Sequence, residues 1–552
     1  MPSPAQPVAS TGAVREAIDP SRFPWIRPLG HEYVHHHDRV AALFAGNPAE
    51  PSAWRDTIAR VSRSTRDRQT LVATLEAQLT RRGASHEAHE AVSRLNAPAS
   101  VAIVTGQQAG VFGGPLYTVL KAVTTIQLAR QVRADYDVDA VPVFWVDAED
   151  HDWAEVRSAR ILDRDGNAAG VTVADMAGAG SQPVGALTFD DAIAAATSRL
   201  AALLPPTEFT REVMDAAARR YRPGQRVGTA FAGWIEDLLG RHGLVVFESD
   251  DPAVKPLAAD LFAKEIDQRA TARLASEAGR VLAGLGHPPQ VETADDGVAL
   301  FYLDERGRRA IKTRNSQYQI GDREVSAAEL RAEVLHHPER FSPNVLLRPL
   351  VQDRLFPTVC YVAGPAELAY QAQLGGVYRA YGIESPLLYA RATATLVDSG
   401  AVRFLERSQL PLEALQVRDD AALNRLLESQ LPPGLEAAIS EADRVVRERV
   451  LALKAAVVPL DPTLAGAVDT TLERMHDTLK TLQAKVIQAA KRKDDTLRRQ
   501  FLRTRALAFP DGVPQERSLS VIFFANRYGM ALGDRLVETL PLATDKHYVL
   551  SL

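Results

Sequence analysis

Between Ala99 and Val156 the pattern of apolar and polar positions predicts a strand, a glycine-rich loop, a helix and a second strand in succession. Val101–Val104 is a short apolar run of the kind that forms a buried strand. Pro115 occupies a position preferred as the first residue of a helix. The apolar run Val141–Val146 predicts the next strand. Between them, apolar residues recur at mostly helical spacing, at Leu116, Leu120, Val123, Ile126 and Leu128.

Strands and helices continue to alternate toward residue 392. Apolar runs predict further buried strands at Gly243–Glu248, Thr358–Ala363 and Ile383–Ala390. Helices are expected from about 252 to 283 and over 366–381, with a strand hairpin at 298–303 and 308–313. This alternation is typical of an α/β fold.

Beyond Leu396 the pattern changes to helical heptads. Ile439, Val446 and Leu453 lie seven residues apart, and prolines at 459 and 462 then interrupt the helix. A second series alternates spacings of three and four residues, at Ala465, Val468, Leu472, Met475, Leu479, Leu482, Val486 and Ala489. A helix over 464–506 would be roughly 60 Å long, too long for one globular core. The pattern therefore predicts an antiparallel helical hairpin that projects from the body.

These patterns divide the chain into four segments. Residues 1–20 are rich in Pro, Ala and Ser and are expected to form a disordered arm. The α/β core is assigned to 21–392 and the helical coiled-coil arm to 393–509. Residues 510–552 are apolar enough to return to the core.

Composition narrows the class of protein. The chain is 46% hydrophobic and 24% charged, as in a soluble globular protein, and its net charge of -5 gives no indication of nucleic-acid binding. There is no apolar run of about 18 residues for a membrane span, and the start lacks a signal-peptide core. A lone cysteine, Cys360, allows no internal disulfide and fits a reducing compartment, so a cytoplasmic location is expected. We interpret Cys360 as a buried small hydrophobe rather than a nucleophile.

The first candidate site is the loop that begins Gly106-Gln107-Gln108-Ala109-Gly110. It matches neither the phosphate-binding loop nor the dinucleotide fingerprint, so a purely structural turn is an even alternative. Two adjacent glutamines favour ligand binding, because each side chain offers a donor and an acceptor. The loop follows a buried strand, and ligands of open α/β sheets bind outside the carboxyl ends of the strands.

The second candidate is the acidic segment that follows Val141–Val146, which contains Asp147, Glu149, Asp150, His151 and Asp152. A carboxylate that orients an imidazole could provide a general base, and one or two carboxylates could hold Mg²⁺. The alternative is helix capping and solvated charge. Four histidines also cluster at 31–37, but no spaced set of Cys, Asp or Glu accompanies them, so no metal site is predicted there.

The third candidate is the segment Arg348–Arg354. Arg348 and Gln352 lie four residues apart and share a helix face if the helix forms. A guanidinium there could grip a carboxylate or phosphate with two hydrogen bonds. A surface salt bridge is an equal alternative.

Several long motifs together resemble the BshC family, the cysteine-adding enzyme of bacillithiol biosynthesis. The resemblance covers nearly the whole chain and is carried by VTGQQAGVFGGPLYTVLKA, PVFWVDAEDHDWAEV, SPNVLLRPLVQDRLFPTVCYVAGPAELAYQAQL and QERSLS. It implies a Rossmann-like parallel-sheet core with inserted segments, a coiled-coil arm and a homodimer formed through that arm. It also implies a ligase that joins L-cysteine to glucosaminyl-malate.

Roles follow for the candidate residues under this resemblance. The glycine-rich loop is expected to bind substrate or nucleotide through Gly106, Gln107, Gln108 and Gly110. The same crevice is expected to be lined by Tyr117, Lys121 and Tyr370. His151, with Glu149, Asp150 or Asp152, is expected to deprotonate the sugar amine or to hold a metal. Arg348 and Gln352 are expected to bind the malate carboxylates.

Amide formation in water requires an activated carboxyl group, and ATP is the expected activator. The chain has no Walker motif, so an adenylate held by the Rossmann-like sheet is favoured over phosphoryl transfer on a phosphate-binding loop. The sequence also fits a different class of function, that of a coiled-coil interaction protein that binds a nucleotide without catalysis.

Overall fold

The computed structural model describes residues 13–292, 297–314, 317–417, 419–429, 434–493 and 495–552. These residues form two compact units. The first comprises the described residues up to Val397 together with Val513–Leu552, and the second is Asp398–Gly512. The last 40 residues thus belong to the first unit, and the second unit spans nearly the same residues as the coiled-coil segment assigned from the sequence.

Strands occur only in the first unit of the described chain. In chain order they are β1 (Ala13–Ile18), β2 (Val101–Gln108), β3 (Ala140–Asp147), β4 (Ser158–Leu162), β5 (Ala168–Thr172), β6 (Val245–Glu248), β7 (Gly297–Asp304), β8 (Gly307–Arg314), β9 (Gln317–Ile320), β10 (Arg323–Val325), β11 (Phe341–Pro343), β12 (Thr358–Ala363), β13 (Leu387–Ala390), β14 (Thr393–Leu396) and β15 (His547–Ser551).

Helices occur in both units. Those that precede the second unit are α1 (Pro28–His35), α2 (Pro51–Arg63), α3 (Arg68–Arg82), α4 (His86–Arg94), α5 (Tyr117–Tyr136), α6 (Trp153–Val156), α7 (Ala192–Leu203), α8 (Thr210–Arg220), α9 (Val227–Leu239), α10 (Ala259–Gln268), α11 (Ala270–Gly284), α12 (Ala327–His336), α13 (Arg348–Leu355), α14 (Pro365–Gln371) and α15 (Gly375–Tyr381). The second unit contains α16 (Ser399–Ser408), α17 (Ala421–Glu428), α18 (Leu435–Val457), α19 (Leu464–Lys493) and α20 (Asp495–Ala508). The chain then adds α21 (Gln515–Ser518), α22 (Val521–Tyr528) and α23 (Leu532–Thr539).

The central sheet has the strand order β13-β12-β2-β3-β6, and every neighbouring pair is parallel. Along the chain, β3 and β6 are added on one side of β2, and β12 and β13 are then added on its other side. The position between β2 and β12 is therefore the topological switch point, where open α/β sheets bind ligands. Both faces are buried, because Ile103 packs into one apolar cluster while its neighbour Val104 packs into another. This confirms the predicted α/β, Rossmann-like fold. Cys360 on β12 is buried and free, as interpreted.

A second sheet is inserted in the chain between β6 and β12. Its order is β10-β9-β8-β7-β11, with antiparallel neighbours throughout. The hairpin expected at 298–303 and 308–313 forms its centre as β7 and β8. A smaller sheet, β1-β15-β14, joins the start of the described chain to its end.

The N-terminal segment corrects one expectation. Ala13–Ile18 form β1, which pairs antiparallel with β15, so the predicted disorder of residues 1–20 is wrong for these six residues. The partner strand lies more than 500 residues away, and local composition carries no information about such a pairing. Residues 1–12 of that prediction lie outside the described residues.

Several element boundaries also differ from the sequence pattern. Strand β2 continues to Gln108, and α5 begins at Tyr117, because the backbone of Pro115 instead forms a bridge with Ser520. The helix expected to about 283 breaks at Arg269, whose φ is +49°. The helix expected over 366–381 is two helices, α14 and α15.

The second unit contains the predicted antiparallel hairpin, formed by α18 and α19. Lys454 pairs with Asp469 at 2.6 Å, and Asp443 accepts a hydrogen bond from His476 at 2.7 Å. The later residue of α18, Lys454, thus pairs with the earlier residue of α19, Asp469, and the earlier residue Asp443 pairs with the later residue His476. The two helices therefore run antiparallel. The helix expected over 464–506 corresponds to α19 and α20, which lie on either side of residue 494, a residue outside the described part. In the described chain, no helix combines the length and apolar character needed to cross a membrane.

A buried ion network fixes the edge of the central sheet. Arg82, at the end of α3, donates to Glu236 of α9 and to Glu248 of β6 at 2.6 Å each, and all three side chains are almost fully buried. We expect Arg82→Met to lower the free energy of unfolding by about 3–5 kcal/mol, because it leaves two buried carboxylates without a cation. Urea denaturation measures this.

The adjacent arginine provides the matched control. Arg81 is 57% exposed and pairs with Asp251 at 3.4 Å, so Arg81→Met is expected to cost less than about 1 kcal/mol. Equal effects of the two substitutions would contradict the assigned role of the buried network.

Candidate active site

A cavity of about 540 Å³ opens at the carboxyl edge of the central sheet, at the switch point between β2 and β12. It is bordered by the ends of β2, β3 and β12, by the start of α14 and by residues of β7 and β8. Its polar lining residues are Gln107, Gln108, Tyr117, Lys121, Asp147, Asp150, Glu155, Arg308, Asn344, Arg348, Tyr361, Glu367, Tyr370, Arg391 and Arg517, with Gly106 and Trp145 beside them.

The two glutamines lie on β2, and strand alternation sends their side chains in opposite directions. Gln107 Nε2 donates to the hydroxyl of Tyr117 at 3.1 Å. Gln108 Nε2 donates to Asp150 Oδ2 at 2.7 Å and to Glu155 Oε2 at 2.9 Å. Both glutamines line the cavity, and each is held by a partner from the elements that follow.

Lys121 is buried one turn into α5. Its Nζ donates to the carbonyl of Gly106 at 2.8 Å and to Gln107 Oε1 at 3.1 Å, and it pairs with Glu367 Oε2 at 2.5 Å. Burial lowers the pKa of Lys121, although Glu367 opposes this. Glu367 also accepts hydrogen bonds from the backbone N–H of Gly364 and the hydroxyl of Tyr361. Lys121 and Glu367 therefore join both sides of the switch point.

Arg348 is buried above the sheet. Its guanidinium lies 5.7 Å from the ring centre of Trp145 and 5.9 Å from that of Tyr361, both within cation–π range. Burial alone would lower its pKa, but Tyr370, Tyr361 and Asp147 favour the charged form and raise it. Arg348 is thus a fixed cation that faces the cavity.

Gln352 supports Arg348 rather than the ligand. It is fully buried and does not line the cavity, and its Oε1 accepts from Arg348 Nη1 at 3.2 Å. Its Nε2 donates to Asp353 Oδ1 at 2.9 Å. Gln352, which was predicted to bind carboxylates, thus has both ends of its amide hydrogen-bonded to neighbours and is placed to orient Arg348.

The acidic segment is dispersed rather than gathered. Glu149 is buried in an ion pair with Lys255, and Asp152 accepts from the backbone N–H of Glu155 at 3.1 Å to cap α6. The ring of His151 is 41% exposed, with Nδ1 3.5 Å from Asp150 Oδ1. Of the four residues predicted as catalytic, Asp150 lines the cavity and the other three do not. Consecutive loop residues point in different directions, so their adjacency in sequence does not place all four side chains in the cavity lining.

Gly110 also lies outside the cavity lining. A Cβ at this position would lie 2.8 Å from the Cα of Gly114, so the glycine allows two parts of the loop to pack closely. Gly110 therefore has a structural role in the turn, which was the alternative to ligand binding for this loop.

Sequence reasoning missed several cavity residues that come from distant elements. Arg308 arrives from β8 of the inserted sheet, donates to the carbonyl of Pro343 at 2.8 Å and stacks 3.8 Å from the centre of the Phe301 ring. Arg391 follows β13 and pairs with buried Glu516 at 2.5 Å. Glu516 and Arg517 belong to the QERSLS motif, which was the one signal for them in the sequence.

The cavity holds charges of both signs. Its cations are Lys121, Arg308, Arg348, Arg391 and Arg517, and its carboxylates are Asp147, Asp150, Glu155 and Glu367. Such a lining suits a ligand that carries carboxylate or phosphate groups together with an amine or hydroxyls. Among the described residues, no group of three His, Cys, Asp or Glu side chains is arranged to hold a metal ion.

Two family models match the chain. The N-terminal Rossmann-like domain of bacillithiol biosynthesis BshC matches residues 18–392, and the C-terminal coiled-coil domain of BshC matches residues 394–552. The chain belongs to the BshC family. This confirms the resemblance seen in the motifs, and it confirms that the chain is an enzyme of the ligase class.

Several BshC relatives align along most of the chain, and each carries the name "Putative cysteine ligase BshC". The protein of Salinibacter ruber is 34% identical over 100% of both chains. That of Chlorobaculum tepidum is 32% identical over 88% of this chain and 89% of its own. That of Symbiobacterium thermophilum is 34% identical over 86% of this chain and 88% of its own.

Asp353 allows a test of the buried support beneath Arg348. Burial raises the pKa of its carboxyl to about 6, although hydrogen bonds from Tyr378 and Gln352 oppose this. The folded state therefore binds the proton more tightly than the unfolded chain, in which aspartate titrates near 3.9. The stability that this group contributes is consequently present at low pH and is lost as pH rises from about 4 to 6.

We expect Asp353→Asn to remove this contribution to the pH dependence, which amounts to about 2 kcal/mol between pH 4.5 and pH 7 for a shift of about two pKa units. The measurement is the free energy of unfolding in urea at pH 4.5 and pH 7, for the variant and the unmodified protein. Asp215→Asn, at an aspartate that is 65% exposed, is the control and should leave the dependence unchanged. An Asp353→Asn protein whose stability changes between these pH values as much as that of the unmodified protein would contradict the assignment.

Proposed function

We propose that this BshC chain forms the amide bond between L-cysteine and glucosaminyl-malate in bacillithiol biosynthesis. The observation that carries the proposal is the cavity at the switch point, which is lined by the fixed cation of Arg348 and by the carboxylates of Asp150 and Glu155. Glucosaminyl-malate presents the complementary groups, two carboxylates on malate and an amine and hydroxyls on the sugar.

The proposal assigns the malate carboxylates to Arg348 and Arg308. Arg348 is held by Gln352, and Arg308 is held by the carbonyl of Pro343, so both guanidinium groups are oriented before a ligand arrives. A guanidinium binds a carboxylate through two parallel hydrogen bonds. Asp150 and Glu155, which Gln108 holds together, are assigned to hydroxyls of the sugar.

Cysteine must carry an activated carboxyl, and we propose ATP as the activator. Arg517 is exposed at the cavity rim and, with the turn that begins at Gly106, is assigned to the phosphates. When bound, ATP would supply a good leaving group on the cysteine carboxyl. The described residues contain no group of three His, Cys, Asp or Glu side chains that could hold a metal ion, so Mg²⁺ would enter with the phosphates.

We further propose that the α18–α19 hairpin forms a homodimer and that the protein acts in the cytoplasm. The hairpin leaves apolar side chains unusually exposed on both helices, with Leu453 at 55% and Leu482 at 52%. Exposed apolar surface of this kind favours association with another helix.

The direct test incubates the purified protein with L-cysteine, glucosaminyl-malate and ATP and follows the amide product by mass spectrometry. We expect product formation that depends on ATP, together with release of AMP or ADP. Tight binding of ATP without product would instead support a non-catalytic nucleotide-binding protein.

The role of Arg348 is tested by comparison with a second arginine on the same helix, α13. We expect Arg348→Lys to lower kcat/KM for glucosaminyl-malate by about tenfold to hundredfold, because a lysine cannot make the bidentate contact. Arg354→Lys is the matched control, since Arg354 also lies on α13 but pairs with Asp260 at 2.9 Å and does not line the cavity. Equal kinetics for the two variants would remove Arg348 from the substrate site.

A further inference from the structure

Asn344 connects the inserted sheet to α13 and lines the cavity. It directly follows β11, whose last residue, Pro343, is paired with Leu300 of β7. Its backbone N–H donates to the carbonyl of Ala299 at 2.9 Å, and its own carbonyl accepts from the backbone N–H of Arg348 at 2.9 Å. The position of Asn344 is therefore fixed by the sheet on one side and by the helix on the other.

The side-chain oxygen of Asn344 is already used by the protein. Its Oδ1 accepts hydrogen bonds from the backbone N–H groups of Leu346 at 3.0 Å and Leu347 at 3.1 Å. Both partners are donors, so the oxygen of the amide and not its nitrogen must face them. The backbone thus determines the orientation of the amide, and the two N–H groups of Nδ2 are directed away from these partners.

The Nδ2 group of Asn344 has no acceptor among the described residues, because the hydrogen bonds of this side chain are the two to Oδ1. The two glutamines that line the cavity differ in this respect. Gln107 Nε2 donates to the hydroxyl of Tyr117, and Gln108 Nε2 donates to Asp150 and to a second carboxylate. Asn344 is only partly buried, so a ligand in the cavity can reach its N–H groups.

Two guanidinium groups lie on either side of Asn344. Arg308 Nη2 donates to the carbonyl of Pro343, the residue before it, at 2.8 Å, while the carboxylate of Asp150 lies 3.8 Å from Arg308 Nη1, beyond hydrogen-bond distance. Arg348 follows one helical turn later, and residues four apart on a helix have Cβ atoms about 5–6 Å from each other. Both arginines also line the cavity. The three side chains therefore present hydrogen-bond donors, and no acceptor, to the same region of the cavity.

We propose that Asn344 is a specificity-determining residue for the acceptor substrate, and that its Nδ2 group donates to a malate carboxylate bound between Arg308 and Arg348. The inference rests on the proposed function. An ionised carboxylate has only acceptors, so both of its oxygens can face donors. A carboxamide in its place would turn its own NH2 group toward one of the donors. Asn344 thus favours an ionised acid over the corresponding amide.

An asparagine suits this position because its amide is neutral. It adds a hydrogen bond to the carboxylate without placing a third positive charge beside the two guanidinium groups, whose like charges would repel it. Its shape is also that of aspartate, which has an acceptor oxygen where asparagine has its NH2 group. Exchange of the two residues therefore changes the group that faces the ligand and preserves the group that faces the backbone.

Titration calorimetry with glucosaminyl-malate tests this role without requiring turnover. We expect Asn344→Asp to lower the affinity by about hundredfold, because the donor is lost and two carboxylates are brought together. We expect Asn344→Ser to lower it by about tenfold, because only the donor is lost. Aspartate and serine accept from backbone N–H groups as asparagine does, so a purely structural Asn344 would leave the three affinities equal.

Asn47 provides the matched control. Its Oδ1 accepts from the backbone N–H of Ala49 at 3.0 Å, and it does not line the cavity. Asn47→Asp makes the same change of shape and charge and should leave the affinity unchanged. Melting temperatures show whether each variant is folded, and Asn344→Ser keeps the inference testable if Asn344→Asp does not fold.

The outcomes separate this inference from the proposed function. If Asn344→Asp binds glucosaminyl-malate as tightly as the unmodified protein, the role of Asn344 is overturned while the ligase proposal stands. If the unmodified protein does not bind glucosaminyl-malate, the substrate assignment is wrong and the inference falls with it. If Asn47→Asp weakens binding as much as Asn344→Asp, the loss comes from the added charge alone, and the contact with Asn344 is overturned.

Discussion

The ion pair between Lys121 and Glu367 is the interaction on which the site depends. It joins α5 to α14 and, through the carbonyl of Gly106, both of them to the end of β2. The Lys121 side chain is buried and that of Glu367 is 19% exposed. Loss of one partner of a buried pair typically costs about 3–5 kcal/mol. The ion pair therefore holds the two sides of the switch point together.

Several of the remaining charges can then act on a ligand, because hydrogen bonds from amide and carbonyl groups and contacts with aromatic rings orient them. Gln352 and the Trp145 and Tyr361 rings hold Arg348, the carbonyl of Pro343 holds Arg308, and Gln108 holds the carboxylates of Asp150 and Glu155. Charged groups that the protein already holds in place bind ligand groups of opposite charge with little rearrangement. The BshC cavity thus combines anion recognition at the guanidinium groups with amine or hydroxyl recognition at the carboxylates.

Much of the fold was predictable because its signals are local. The apolar runs that became β2, β3 and β12 and the heptads that became α18 and α19 are each continuous in sequence. The adjacent glutamines were recognised for the same reason, since they follow a buried strand directly. Parallel strands must end at the same edge, so Gln107, Gln108 and Asp150 were expected to lie near one another.

The features that were missed depend on contacts across the chain. The pairing of β1 with β15 and the arrival of Arg308 from the inserted sheet leave no local pattern. Glu149 and Asp152 look catalytic in sequence, but one balances the charge of Lys255 and the other caps a helix. A cluster of acidic residues in the sequence shows that negative charge is present in that segment. Only the path of the backbone shows which of the carboxylates face the cavity.

A crystal structure of the protein with glucosaminyl-malate bound tests the central claim most directly. The account predicts a malate carboxylate within hydrogen-bond distance of the Arg348 guanidinium and the sugar ring between β2 and β3 at the switch point. A ligand bound elsewhere, or one whose carboxylates make no contact with Arg348 or Arg308, would contradict it.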